Sequence, residues 1–425
     1  MAPVGSVLRL RKESVDRTKY AFSELQPITI HFDGSIDRRV VDGNREYSMD
    51  LFFARPGDIV AAKIDLKNGA VGIVPDWTNV VVTGHFAVYE PDRAKIVPEY
   101  FERIIQAPFF KAYLWRNKVG AEGRKEVKLD FFEAVNIPIP SLHTQRAILA
   151  EWQKARQAIA AAELRAVKIE AEIEIALYED LGTAVPQPGT ECVKFMPLRW
   201  SELDRWSFNY LWRVRSGLLG FQKSRFPIVP MAQCIVDTRN GFCIKPVAGP
   251  TPHKMLKLNA LNPRGLDVTA TKYIRVSEKT ASQFHIRSGD LLMCRSVGSY
   301  DHIAKCAVVK EDDPSVLYPD IMIRVRFNAT VLPDYVREVV QSSVGRSHFL
   351  SNARTAVGMW KIGAEDIRTF PLPLPTLDIQ RRIMEKVADG RSRIAREREI
   401  ARVVALQSEA DMEAYLLGTK KVETT

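Results

Sequence analysis

Lysine and arginine recur in this chain at matched stations, with the amide and hydroxyl residues that suit nucleic acid beside them. Lys63, Lys67 and Asn68 follow one Gly-Asp dipeptide; Arg295, Ser296, Ser299 and Tyr300 follow another. Further along, Arg116, Lys118, Arg124, Lys125 and Lys128 are answered by Arg346, His348, Arg354, Trp360 and Lys361. Arg and Lys suit guanine edges, Asn and Gln suit adenine, and cations and hydroxyls hold phosphates, so the paired clusters carry the chemistry of DNA readout. The plain alternative for any one of them is a solvated basic rim. Arg239 and Asn240, just before Gly241, form a further patch, whereas Arg391, Arg393, Arg396, Arg398 and Arg402 are interleaved with Glu397 and Glu399 and read as a solvated helix face.

Catalytic chemistry is harder to assemble. The chain has no Asn-Pro-Pro-Tyr/Phe or Asp-Pro-Pro-Tyr tetrapeptide to grip a flipped base, no Gly-rich turn for S-adenosylmethionine, and no phosphate loop ending in Gly-Lys-Ser/Thr. A nuclease can be drawn from Pro75 and Asp76 with Glu126 and Lys128, but the spacing is loose and the second copy carries Lys361 where the first has Glu126. The seven histidines, His85, His143, His285 and His302 among them, are scattered without ligand spacing. The expectation is therefore a chain with no catalysis and no metal of its own.

The matched stations belong to a duplication. IPIPSLHTQRAI, from Ile137 to Ile148, returns as PLPLPTLDIQRRI ending at Ile383, at an offset of 380 − 145 = 235. The register holds back through Gly123 and Gly358, Gln106 and Gln341, Tyr100 and Tyr335, and Pro98 and Pro333. Upstream, RPGDIV at Arg55 faces RSGDLL at Arg287, where the offset is 289 − 57 = 232, a small indel. Two similar modules imply a bipartite target or a pseudosymmetric body.

Composition agrees. At 425 residues, with 46% hydrophobic, two to four domains can each fill a core. The balance of 61 basic against 51 acidic residues gives a formal charge of +10, which favours a polyanionic partner. Five cysteines, Cys192, Cys234, Cys243, Cys294 and Cys306, make an odd number with no CxxC pair, which points to a reducing cytosol. No signal-peptide core and no membrane-length apolar run is visible, so a soluble, internal protein is expected.

Each copy reads as a mixed α/β globule followed by a long helix, an α+β class overall. LFFARPGDIVAAKI, GAVGIVP and TNVVVTGHFAVYE have strand character, and PEYFERIIQAPFFKAYLWRNK has helical spacing. HIRSGDLLMCRS, AKCAVVKE and DIMIRVRFN repeat the strands, and PDYVREVVQSSVGRSHFLSNAR repeats the helix. The proline runs must be extended, so the chain leaves each globule as a stiff strap before the long helix begins. Trp152, Ala155, Ile159, Ala162, Ala166, Ile169, Ile173 and Ala176 make a heptad seam on the first long helix. On the second, Ile383, Val387, Ile394, Ala401 and Val404 keep phase, with Gly390, Glu397 and Ser408 as interruptions. Gly182 and Gly418 are expected stops. Helices of roughly 35 residues would span on the order of 50 Å and, if paired, hold the globules a fixed distance apart. The PQPG stretch at Pro186 to Gly189 divides the copies.

A variable α/β globule, a P-x-L-x-x-Q-R-x-I motif and a long helix, repeated once, resembles the specificity subunit of Type I restriction-modification systems. The resemblance covers nearly the whole chain and is strongest in IPIPSLHTQRAI, FPLPLPTLDIQRRI and the GDIV and GDLL strands. It implies a target-recognition domain at 1–140, a spacer helix at 141–182, a linker at 183–189, a second recognition domain at 190–375 and a second spacer helix at 376–425. It further implies that each globule reads half of a split DNA site and that the helices form an antiparallel coiled coil docking two methyltransferase subunits. S-adenosylmethionine, ATP and Mg would belong to the methyltransferase and restriction subunits. Because the second copy has about a hundred residues before its Gly-Asp strand, including WSELDRWSFNYLWRVRSG, and the first only fifty-six, the first recognition domain is expected to be shortened at its start. A coiled-coil adaptor that binds protein instead of DNA is the competing reading.

Overall fold

The computed structural model describes residues 1–40, 49–119, 126–183, 221, 224–262, 265–356 and 358–422. PQPG, WSELDRWSFNYLWRVRSG, Cys192, Gly123, Arg124 and Lys125 lie outside them. The chain divides into two compact units, one of Met1–Leu164 with Glu397–Thr425, the other of Arg165–Arg396. Among the described residues no helix is long and apolar enough to cross a membrane.

In unit 1 the strands are β1 (Ala2–Pro3), β2 (Leu8–Arg11), β3 (Gln26–Ile30), β4 (Ile36–Arg38), β5 (Leu51–Phe53), β6 (Ile59–Ala62), β7 (Val71–Ile73), β8 (Val80–Thr83), β9 (Phe86–Pro91) and β10 (Asn136–Ile137). They make two four-stranded sheets, ordered β2-β9-β6-β7 and β4-β3-β8-β5, and a short β1-β10 pair. The first sheet is antiparallel throughout; in the second, β3 and β8 run parallel. Ile59, Val60 and Ala61 are all buried, so β6 is covered on both faces.

Unit 2 repeats this plan. Its strands are β11 (Ile228–Pro230), β12 (Ile235–Asn240), β13 (His253–Leu256), β14 (Leu261–Asn262), β15 (Gly265–Leu266), β16 (Thr271–Ile274), β17 (His285–Ile286), β18 (Leu291–Cys294), β19 (Ser296–Val297), β20 (Cys306–Val308), β21 (Asp313–Leu317), β22 (Met322–Phe327), β23 (Arg354–Ala356), β24 (Met359–Lys361) and β25 (Pro371–Pro373). The sheets are β12-β22-β18-β20 and β16-β13-β21-β17, with β13 and β21 again parallel and β11 paired to β25. Every strand of the two sheets in unit 2 thus has a counterpart in unit 1. Ala2 to Asp58 is 58 − 2 = 56 residues and Ile228 to Asp290 is 290 − 228 = 62, so the surplus of the second copy lies almost wholly ahead of β11.

The Gly-Asp dipeptides explain themselves in the turns that enter β6 and β18. Gly57 and Gly289 take φ of 82° and 83°, a region that a Cβ disfavours. The aspartates beside them turn inward. Asp58 Oδ2 accepts the Arg55 N–H at 2.8 Å and Asp290 Oδ2 accepts that of Arg287 at 2.9 Å. Arg11 Nε stands 3.0 Å from Asp58 and Arg326 Nε 2.6 Å from Asp290. Burial pushes the Asp58 carboxyl above the usual range, against the pull of the Arg55 N–H and Arg11.

Helices α1 (Pro98–Gln106) and α2 (Pro108–Arg116) replace the single helix expected after β9. Pro108 drives its predecessor out of the helical region, and Ala107 sits at φ −62°, ψ 134°. After α3 (Leu129–Ala134) comes the long α4 (Leu142–Leu181). In unit 2, α5 (Glu278–Phe284) precedes α6 (Pro333–Gln341) and α7 (Ser343–Asn352), which break apart at Ser342. No proline forces this second break. Instead Ser342 Oγ accepts the Gly345 N–H at 3.2 Å as an N-cap. α8 (Ala364–Arg368) and the long α9 (Leu377–Leu417) complete the chain.

The repeated glutamine secures each long helix to its own globule. Gln145 and Gln380 are both 0% exposed. Gln145 Oε1 accepts the Val97 N–H at 2.8 Å, and its Nε2 donates to the carbonyls of Lys95 at 2.8 Å and Pro140 at 2.9 Å. Gln380 Oε1 accepts the Leu332 N–H at 2.8 Å, and its Nε2 donates to those of Thr330 at 3.0 Å and Pro375 at 2.9 Å. Tyr100 and Tyr335 add hydrogen bonds to the strap, at Pro138 O (3.3 Å) and Pro373 O (2.8 Å).

Within unit 1, Ile148 and Leu149 of α4 share a core with Met412 and Leu416 of α9. Within unit 2, Ala166 and Ile169 pack with Ile394, while Leu177 packs with Ile383 and Val387. Lys386 Nζ reaches Asp180 at 2.7 Å there. Rising numbers on α4 therefore meet falling numbers on α9 in unit 2. Gly390 is a seam position, not an interruption: it is buried, and a Cβ on it would stand 2.5 Å from Ile173 Cγ1. Cys234, Cys243, Cys294 and Cys306 are free thiols, and burial raises Cys294 to about 11 and Cys306 to about 12.

Candidate nucleic-acid interface

In unit 2 the two candidate clusters meet in one small sheet. The chain leaving β18 forms β19, which pairs with β24, and β24 folds back on β23, giving the order β19-β24-β23. Ser296 lies opposite Lys361, and Lys361 lies opposite Arg354. Directly opposed residues share a face, so Arg354 and Lys361 present two like charges side by side. Both are exposed, Arg354 with 81% of its side chain accessible and Asp366 Oδ1 3.6 Å from its Nη2. Trp360 lies opposite Val297 and Thr355, its ring 4.6 Å from that of Tyr300. Tyr300 Oη donates to Leu350 O at 2.8 Å, which ties this ring to α7.

Other candidates spend their polar groups inside the protein. Arg295 Nη1 donates to Asp320 O at 2.9 Å, and Lys63, which holds the same place after β6, donates from Nζ to Gly84 O at 2.7 Å. In both copies the cation after the Gly-Asp strand clasps the carbonyl just ahead of β22 or β9. Arg346 donates to Asp301 O at 2.7 Å and to Ile303 O, and burial lowers its pKa from the ordinary arginine value. It fastens the turn beside Tyr300. His348 is half-buried, edge-on to Phe349 and Phe370, and burial lowers its pKa as well.

Unit 1 places its candidates differently. Lys67 is only 9% exposed and donates to Ile64 O, so its ammonium closes the turn after β6. Asn68 Nδ2 donates to Asp65 Oδ1 at 2.9 Å in the same turn. α2 packs against this turn, and Gln106 Nε2 holds Gly69 O at 2.7 Å, as Gln341 holds Ala304 O at 2.8 Å in unit 2. Arg116 and Lys128 are exposed at the end of α2 and the start of α3, and Lys118 Nζ lies 3.2 Å from the centre of the Trp115 ring. Val119 and Glu126 pair as an antiparallel bridge.

Arg239 Nη1 donates to Gln283 Oε1 at 3.2 Å, with its guanidinium over Phe284. Arg368, which the sequence reading passed over, reaches Thr238 Oγ1 at 3.2 Å and thereby joins α8 to the same strand. The exposed rings Tyr113 and Trp115 were also passed over, because they counted as part of the apolar spacing of a single helix. Among the described residues no group of three His, Cys, Asp or Glu side chains is gathered as metal ligands would be.

No protein-family model matches the chain. It is 24% identical over 286 residues to the specificity subunit of the Type I restriction enzyme EcoKI of Escherichia coli, an alignment covering 66% of this chain and 57% of that subunit. Over 286 residues it is 20% identical to the specificity subunit of StySPI from Salmonella potsdam, again with 66% and 57% covered. The chain thus spans little more than half the length of these relatives. A chain solved in work on complex assembly and conformational transition of the type I R-M system superposes with a TM-score of 0.61 at 16% identity, covering 97% of this chain and 96% of that one. In sequence the chain is distantly similar to Type I specificity subunits, and its fold is similar to a chain of a type I R-M system.

Proposed function

We propose that this chain is the DNA-recognition and assembly subunit of a cytoplasmic Type I restriction-modification complex, with no catalysis of its own. Each globule reads one part of a bipartite duplex target. α4 and α9 pair as an antiparallel coiled coil related by a pseudo-two-fold axis, on which two methyltransferase subunits dock. Restriction and translocase subunits join that assembly. S-adenosylmethionine, ATP and Mg are held by those partners.

The observation that carries the reading is the cross-strand pair Arg354 and Lys361. Like charges directly opposite one another destabilise a sheet, and the carboxylate recorded nearby is 3.6 Å from one of them. A phosphate or a guanine edge would relieve that repulsion. The net charge of +10 gives the same preference over the whole surface. Selection of bound duplexes from a randomised pool tests the proposal. Recovery of two short sequences with a fixed gap is expected; a chain that retains no duplex, or retains all equally, overturns it in favour of a protein-binding adaptor.

A further inference from the structure

The end of α2 exposes aromatic surface that the core of unit 1 does not use. Tyr113 is 45% exposed and Trp115 47%. Tyr113 stacks on Phe131 of α3, with centroids 5.9 Å apart and planes 24° from parallel. Lys118 lies over the Trp115 ring, and Arg116, next to it on α2, and Lys128, just ahead of α3, are exposed. At the positions 235 residues on, unit 2 has His348 and Leu350, both turned partly inward. Its small sheet displays Arg354 and Lys361 instead, so the duplicated globules differ here in kind.

We propose that Trp115 and the stacked pair Tyr113 and Phe131 form a base-stacking wedge, contacting a kinked or unstacked step of the DNA half-site read by unit 1. This deepens the DNA-recognition reading and rests on it. Every base offers a π face, so exposed rings gain binding free energy from nucleic acid without a hydrogen-bond code. A ring pressed between base steps also needs the adjoining phosphates neutralised, and Arg116, Lys118 and Lys128 supply that charge at the rim. Between residues 113 and 131 the described cations Arg116, Lys118 and Lys128 outnumber the exposed carboxylates Glu126 and Asp130, which favours DNA over an apolar protein helix. The first half-site is then distinguished by the ease with which one step unstacks, and the second by hydrogen bonds from Arg354 and Lys361.

The test uses the full chain and a duplex recovered by selection, with 2-aminopurine placed in turn at each position. One step in the half-site of unit 1 is expected to change its fluorescence on binding. Trp115→Ala and Tyr113→Ala should abolish that change and weaken binding roughly 10- to 100-fold, the range of a base-aromatic stack. Trp115→Phe should keep the signal and bind within about threefold of native. Both side chains are exposed, so matching thermal melts will establish that the alanine variants fold. Alanine variants that bind DNA as the native chain does overturn the wedge, and so does loss of a methyltransferase partner with DNA affinity intact, which would make the ridge a protein-docking surface. A native chain that binds no duplex overturns the parent reading and the wedge together.

Discussion

Ile173 fills the space that a side chain at position 390 would need: a Cβ on Gly390 would stand 2.5 Å from its Cγ1 and 2.7 Å from its Cδ1. Two effects oppose each other in Gly390→Ala. Alanine gains about 1 kcal/mol of helix propensity, whereas overpacking a fitted contact costs about 1 to 3 kcal/mol. The packing term is expected to win. Urea unfolding should show a net loss of stability in Gly390→Ala, recovered in part when Ile173→Val is added.

The buried glutamines are a second point of vulnerability. Gln380→Leu leaves the Leu332 N–H and the Thr330 and Pro375 carbonyls without their partner, and each unsatisfied buried group costs about 1 to 3 kcal/mol. A loss of about 3 kcal/mol or more is expected from denaturant midpoints. Gln145→Leu should act to a similar degree on unit 1. A cost under about 1 kcal/mol for both would mean that water replaces the lost bonds.

His348 gives unit 2 a pH dependence of definite sign. Burial lowers its pKa in the folded chain, while the unfolded value is about 6.5. As pH falls through the unfolded value, the unfolded state takes up a proton that the folded state resists, so stability declines from neutral pH towards pH 5. His348→Gln should flatten that part of the profile. Denaturant midpoints of the native chain and the variant at pH 7.5 and 5.5 measure the difference.

Replacing Arg354 and Lys361 together with alanine should weaken recognition of one half-site only. If they touch bases, discrimination falls by about 1 to 3 kcal/mol per contact; if they touch phosphates, the salt slope of log K falls by about 0.9 per contact. Folding stability should not fall, because the substitution removes a like-charge pair. Arg124→Ala with Lys125→Ala should alter the other half-site. Binding profiles across a randomised site decide, and two double variants that disturb the same half-site exclude a division of labour.

The duplication was legible because proline, glycine and the Gln-Arg pair sit where backbone geometry tolerates few substitutes. Prolines enter α1 and α6, and the Gly-Asp turns enter β6 and β18, where the aligned residues placed them. What remained hidden depends on contacts between distant segments. Local apolar spacing runs on past Ala107 and Ser342, so the helix breaks were missed although Pro108 was in view. Gly390 read as a flaw in the seam because its partner, Ile173, lies 217 residues away in sequence (390 − 173 = 217). The candidate cations were recognisable by type. Their side-chain directions were not: Arg354 faces solvent, while Lys67 and Arg346 fold back onto carbonyls, and charge composition does not separate the two cases.

Among the described residues Gln145 and Gln380 bond to main-chain groups: carbonyls, which every amino acid supplies, Pro140 and Pro375 included, and one N–H each, which every amino acid but proline supplies. Such a joint is blind to the residues around it. The surface of either globule can drift in sequence, or an entire globule can be exchanged for another of the same strand plan, without the attachment being re-optimised. A neutral amide joint is also indifferent to ionic strength, so salt leaves the globules seated on their helices. Inheritance can therefore alter the surface a globule presents independently of the frame that carries it.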